Sequence, residues 1–418
     1  MFESRKGLGI LALLAGGVLA GVSLAEIGLR LAGVEYPSFQ QVDPRLGASL
    51  RPGAHGWYRQ EGESHVRINR DGLRDRDHEE RAAPGTLRLA ILGDSYAEAL
   101  QVDVAKTFWR VLARELQGCK QPGVSSIEPI NFGASGYGTA QELIMMRDRV
   151  WRYAPQVVLL TFLPANDIRN NSRRLESDLL KPYFVLRDGE LVLDDSFLQA
   201  PGFRARQSLL WRAGYRLIDR SRLLQLVNEA KNSLQRRREV KIHSETAQRT
   251  PALAALSEAG LDPPIFLTSP GDDWEEAWRV TEALIVKMRD EVRARGADLW
   301  LVTATAGIQV HPDPRARERF ARELGAPDLL QAERRILALG VREGIPIITL
   351  AQPFQRYAEE KQVYLHGFAN TAPGTGHWNE QGHRLAGEII AREACARAEL
   401  FFASSRARST TAPASSAP

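Results

Sequence analysis

From residue 87 onward the chain alternates between short unbroken apolar runs and longer segments whose apolar residues recur at helical spacing. The runs are LRLAILG from Leu87, PINFG from Pro129, QVVLLTF from Gln156, DLWLVTA from Asp298 and IPIITL from Ile345. The helical segments cover 105–118, 139–152, 274–294, 328–342 and 380–397. Strands without a polar face, separated by helices, predict a parallel sheet buried on both sides. The expected fold class is α/β, a three-layer open parallel sheet occupying residues 87–402.

Four other regions depart from that rhythm. An uncharged stretch from Gly7 to Ala25 follows Arg5 and Lys6, close to the roughly 20 residues a helix needs to cross a bilayer. Positive charge before the span favours a cytoplasmic N-terminus with the remainder outside. Residues 1–34 thus read as a transmembrane anchor, with a cleaved signal peptide as the rival because Ser23-Leu24-Ala25 offers small residues for cleavage. Residues 35–86, rich in Gly, Pro, Arg and Asp, read as a linker and extended arm with a turn at Asp71-Gly72. An insertion at about 172–295 separates the third and fourth strands. Its stretch from Phe203 to His243 combines Leu and Trp at helical spacing with many arginines, so a largely helical insertion is expected. Such a stretch meets anionic lipid or a partner, or simply presents a solvated basic face, the commoner case. Residues 403–418 read as a disordered tail.

Composition narrows the function classes. The chain has 418 residues, 44% hydrophobic and 25% charged, enough for a sizeable core. A net charge of +4 creates no field that would demand nucleic acid, so no nucleic-acid partner is expected. Two cysteines, Cys119 and Cys395, exclude a disulfide scaffold and any multi-cysteine zinc site. The chain also lacks a G-x-x-x-x-G-K-[ST] loop, an H-E-x-x-H helix and a G-x-S-x-G elbow. What remains is chemistry by side chains alone, with no metal or cofactor required.

Small polar residues cluster just after the strands. Ser95 follows the first, GASGYG (Gly133 to Gly138) the second, and Asn166-Asp167 the third. In open parallel sheets the C-terminal strand ends form the binding crevice, so these loops should converge. GHWNEQGH, with His377 before the last helix and His383 inside it, can bring a base to a serine hydroxyl, which is a weak nucleophile until its proton is taken. Singly, Ser95, Gly136 and Asn166 are each more often cap or turn residues than functional ones.

Together, GDS, NFGASGYGT, PAND and HWNEQGH resemble the four signature blocks of the SGNH, or GDSL-like, hydrolase superfamily. The resemblance covers roughly 87–170 and 296–400 and implies a flavodoxin-like sheet. It implies Ser95 as nucleophile and His377 as general base. The oxyanion hole would comprise the Ser95 N–H, the Gly136 N–H and the Asn166 amide. Two departures stand out: Pro164 occupies a position usually glycine, and Gly374 the position of the triad acid, three residues before His377.

The acid can come from elsewhere in the chain, a backbone carbonyl can orient the imidazole, or the site is degenerate. Glu380 and His383 are the alternative pair, preserving acid-x-x-His spacing. Cys119 and Cys395 end the first and last core helices, which commonly run side by side, so a disulfide between them is expected, with two buried thiols as the alternative. The reading is a serine esterase on the outer side of a cell membrane, single-pass, acting on acylated glycan. A lysophospholipase or thioesterase acting on lipid esters is the runner-up. A non-catalytic binding protein is the contrasting class.

Overall fold

The apolar runs become five parallel strands in the computed structural model, which describes residues 2–247 and 261–403. The expected tail lies almost wholly outside these residues. The chain begins with α1 (Phe2–Leu31), whose Gly9–Leu31 portion is unburied and has a mean hydropathy of 2.1. Among the described residues it is the one helix long and apolar enough to cross a membrane.

The arm is more structured than a linker. It forms two antiparallel hairpins, β1 (Gln40–Asp43) with β2 (Gly47–Leu50), and β3 (His55–Tyr58) with β4 (Ser64–Arg67). Leu46, Leu50, Val66, Ile68 and Leu73 join the main core. At the Asp71-Gly72 turn, the Asn69 carboxamide oxygen accepts from the backbone N–H groups of Asp71 and Leu73.

The central sheet contains β5 (Thr86–Gly93), β6 (Ser126–Asn131), β7 (Val157–Phe162), β10 (Asp298–Thr303) and β11 (Ile347–Thr349). Between β7 and β10 the insertion opens with a hairpin, β8 (Tyr183–Arg187) and β9 (Glu190–Asp194), not with helix. Its Asp188-Gly189 corner has positive φ at both residues, 51° and 82°, the conformation a two-residue hairpin turn demands. The sheet order is β6-β5-β7-β10-β11, all parallel. Counting core strands only, this is 2-1-3-4-5, the flavodoxin-like order, with its switch point between β5 and β7. Every residue of β7 is buried, as expected of a strand covered on both faces.

The short helix α2 (Ser95–Glu98) follows β5 directly, and α3 (Phe108–Leu116), α4 (Thr139–Asp148) and α5 (Pro164–Asn170) continue the alternation. The insertion carries α6 (Pro201–Gln207), α7 (Leu209–Arg220) and α8 (Arg222–Ala247). The last core helix, Glu380–Ala396, packs along α3. A disulfide joins Cys119, just beyond α3, to Cys395 near the end of that last helix, with Cα atoms 5.9 Å apart.

Candidate active site

Register places the first and third site loops side by side. Gly93 at the end of β5 pairs with Thr161 of β7, so Asp94-Ser95 and the start of α5 leave the sheet as neighbours at the switch point. Asp94, not Ser95, caps α2: its Oδ1 accepts the Tyr96 N–H at 2.9 Å. The serine hydroxyl is therefore free of capping duty, and Ser95 is the one residue from 91 to 100 that is not fully buried. Its Oγ lies 2.8 Å from His377 Nε2.

The loop carrying His377 is held from several sides. Trp378 is fully buried and donates its indole N–H to Thr305 Oγ1 at 2.9 Å. Tyr96 donates its hydroxyl to the Gly376 carbonyl at 3.0 Å, and its ring stands 5.0 Å from that of His377. His366 donates from Nδ1 to the same carbonyl at 2.7 Å, leaving Nε2 to accept from the Thr305 hydroxyl. Burial pushes His366 down to about 4, so it serves as a neutral strut.

The acid comes from the arm. Glu61, in the loop between β3 and β4, places Oε2 2.5 Å from His377 Nδ1 and accepts the His377 backbone N–H on Oε1 at 2.8 Å. That loop is clamped by Asn370, which accepts from the Gly62 N–H and donates to the carbonyls of Arg59 and Gly62. Burial raises the Glu61 carboxyl, but the His377 hydrogen bonds and charge outweigh it and hold the group below the ordinary range.

The glycines of the His377 loop match this arrangement. Gly376 has φ of 76°, and a Cβ there would meet Glu61 Oε1 at 2.2 Å. At Gly374 φ is 79° and a Cβ would strike the Tyr364 ring at 2.7 Å. The position that resembling proteins give to the acid is thus built for glycine here. The alternative pair is not assembled. Glu380 is exposed and bonded to Lys106 at 2.6 Å. His383 is buried, stacks on Phe108 and accepts the Phe108 N–H at 3.3 Å, with burial driving it down to about 3.

The residues expected around an oxyanion are less uniformly gathered. Asn166 donates from Nδ2 to Asp94 Oδ2 at 3.2 Å, which orients the amide beside the serine loop. Pro164 starts α5 at its first turn, where a missing N–H costs nothing, and Asp167 accepts the Leu163 N–H at 2.7 Å. Gly136 is exposed at φ 83°, with open space over its Cα. No hydrogen bond among the described residues joins it to Ser95 or Asn166. Its neighbour Ser135 donates its N–H to Glu98 Oε2 at 2.7 Å, tying this loop to the end of α2.

Two further features were invisible to motif reasoning. Arg74 of the arm is fully buried and donates to the carbonyls of Glu98, Ala99 and Val102, which closes the C-terminal end of α2. Below the site, burial raises the carboxyls of Asp94, Glu142 and Asp167, and the charge of Asp94 raises the other two further. Among the described residues, no three His, Cys, Asp or Glu side chains are grouped to hold a metal ion.

No family model matches this chain, and no curated protein is significantly similar to it. Solved structures do match in outline. An acetylxylan esterase from Geobacillus stearothermophilus, solved as a catalytic mutant, is 12% identical with a TM-score of 0.35, covering 73% of this chain and 93% of that one. A GDSL-like lipase from Bacteroides thetaiotaomicron is 11% identical with a TM-score of 0.31, covering 74% and 88%. A lipase/acylhydrolase from Enterococcus faecalis is 12% identical with a TM-score of 0.34, covering 74% and 96%. Likeness at this level decides nothing about chemistry, which rests on the site itself.

Proposed function

We propose that the protein is a serine esterase of the SGNH type that works through an acyl-enzyme at Ser95. The observation that carries this reading is the unbroken chain from Ser95 Oγ through His377 to Glu61, with contacts of 2.8 and 2.5 Å. A nucleophile, a base within hydrogen-bond reach and a carboxylate orienting that base make up the triad arrangement. As Ser95 Oγ attacks the ester carbonyl, its proton passes to His377 Nε2, and Glu61 stabilises the imidazolium through Nδ1–H. The oxyanion accepts from the Ser95 and Gly136 N–H groups and the Asn166 amide, donors that typically contribute about 3 to 4 kcal/mol each. Collapse breaks the ester bond, and the leaving alcohol takes the proton from Nε2. Water, or an acceptor hydroxyl, then relieves Ser95 of the acyl group by the reverse sequence.

The reading of the substrate class rests on a cleft of about 280 Å³ that is lined by Gln60, the residue before Glu61, and by Glu98 at the end of α2. Tyr36, Trp57 and Tyr58 line it with Gln40, Asn228 and Asn232. Aromatic faces beside carboxamides suit a sugar ring, which offers C–H faces to the first and hydroxyls to the second. We therefore read the substrate as an O-acetyl or short O-acyl ester on an envelope glycan, hydrolysed or transferred. Lipid-ester hydrolysis uses the same machinery and is the alternative outcome. An extracytoplasmic location is supported by α1 and by the Cys119–Cys395 bridge, since disulfides persist in oxidising compartments. With Glu61 in hand, the glycine at 374 no longer argues for a binding protein.

The test is reaction of the full chain with a fluorophosphonate probe and with p-nitrophenyl acetate. The native protein is expected to label and turn over, and Ser95→Ala to do neither. Failure of the native protein to label alongside a reacting control esterase would favour the binding reading.

A further inference from the structure

We infer that α7 is an interfacial helix that rests in the outer surface of the same bilayer that α1 crosses, giving the domain a second attachment to the membrane. The inference rests on the anchor reading of α1 and adds to it a lipid-binding surface.

The first observation is an exposed apolar stripe. Leu209, Leu210 and Leu217 of α7 are 82%, 87% and 60% exposed. With Ala213 they fall within one sector of the helix at 100° per residue. Arg216 borders that sector, Arg220 closes it at the C-terminal end of the helix, and Arg204 and Arg206 stand exposed on α6 just before it. An apolar face edged by arginines is the composition that buries leucines at the acyl boundary while arginines meet phosphates.

The second observation fixes where this helix sits. Arg30 donates to the Arg220 carbonyl at 2.6 Å, and Glu26 accepts from the Ser221 hydroxyl and from the Arg222 and Leu223 N–H groups at 2.9 to 3.1 Å. Glu26 thereby caps α8 and pins the end of α7 to α1. The apolar span ends at Leu31. At about 1.5 Å per residue, Glu26 lies roughly 7 Å inside that end. Interfacial helices bury their apolar faces to about 5–10 Å, so α7 is held at the depth its stripe requires. An ion pair from Arg51 of the arm to Asp219 ties the same corner to the folded domain, so the contact also sets how that domain stands on the surface.

The experiment uses the full chain, one copy per lipid nanodisc containing anionic phospholipid, with the native disulfide intact. Single cysteines at Val18→Cys, Leu210→Cys and Val341→Cys carry an environment-sensitive fluorophore, and thermal unfolding confirms each variant is folded. Val341 is 86% exposed on the helix Gln331–Glu343 and serves as the solvent reference. Spin-labelled lipids are expected to quench position 18 from a deep label, position 210 from a shallow one, and position 341 from neither. Quenching at 18 with position 210 as solvated as 341 overturns the inference and leaves the anchor standing. Absence of quenching at both 18 and 210 overturns the anchor and the inference with it. A blue-shifted probe at 210 that no lipid label reaches means that protein covers the stripe, and also overturns it.

Discussion

The arm and the insertion both lie outside the five-stranded sheet, and they relate to it in opposite ways. The arm, four short strands and irregular chain, sends Glu61 to His377 and Arg74 under α2, and buries Leu46, Leu50, Val66, Ile68 and Leu73 in the main core. The helices α7 and α8 of the insertion have the more regular pattern, yet α7 exposes its leucines and meets α1 and the arm chiefly at its C-terminal end. Regular secondary structure is thus a poor guide to what is built into the site. Buried charge with satisfied partners is the better one, because it is costly to arrange unless the surrounding chain is fixed.

The largest expected effect on stability is at Arg74. Arg74→Leu takes the guanidinium from three interior carbonyls, of which that of Ala99 still accepts the Val102 N–H at 3.3 Å. At about 1 kcal/mol for each of the other two, unfolding free energy in urea should fall by about 2 kcal/mol. A loss below about 0.5 kcal/mol would mean that the arm is peripheral after all. Glu142 of α4, outside both regions, supplies an intermediate case. Its two carboxyl oxygens are buried with no hydrogen-bond partner among the described residues, and burial raises its pKa. A carboxyl whose folded pKa is raised keeps more protons in the folded state, so stability is full below the unfolded pKa and falls as pH rises toward the folded one. Relative to the native chain, Glu142→Gln should gain up to about 1.4 kcal/mol for each pH unit above roughly 4.3, until the raised pKa is passed. Parallel pH–stability curves would contradict this. The smallest effect is in the insertion: Leu209→Gln with Leu210→Gln should alter unfolding free energy in detergent by no more than about 0.5 kcal/mol. A drop comparable to that of Arg74→Leu would erase the contrast between the two regions.

Much of this fold was legible before any coordinates. The five apolar runs coincide with the five core strands within two residues, except that β6 begins three earlier, because strands buried on both faces leave an unbroken signal. The helices at 314–324 and 351–361 and the β8–β9 hairpin do not stand out in the sequence, since the two helices carry few large apolar residues and the strand pair is short. At the site, Ser95, Asn166 and His377 were readable because strand order puts loop ends together. Glu61 was not, being 316 residues from its partner and marked only by QEGES, a polar stretch like many others. The positive φ of Gly374, which excludes the expected acid, is a property of the folded loop and leaves no trace in composition. His383 illustrates the opposite hazard, a residue in a suggestive motif that serves the core.

The central claim is that an arm residue completes the triad, and Glu61→Gln tests it most directly. Hydrolysis of p-nitrophenyl acetate by this variant should show kcat reduced by about 10³ to 10⁴ with KM little changed, and with the native unfolding midpoint largely retained. A kcat within about threefold of the native value would show that His377 is oriented without Glu61 and would contradict the account.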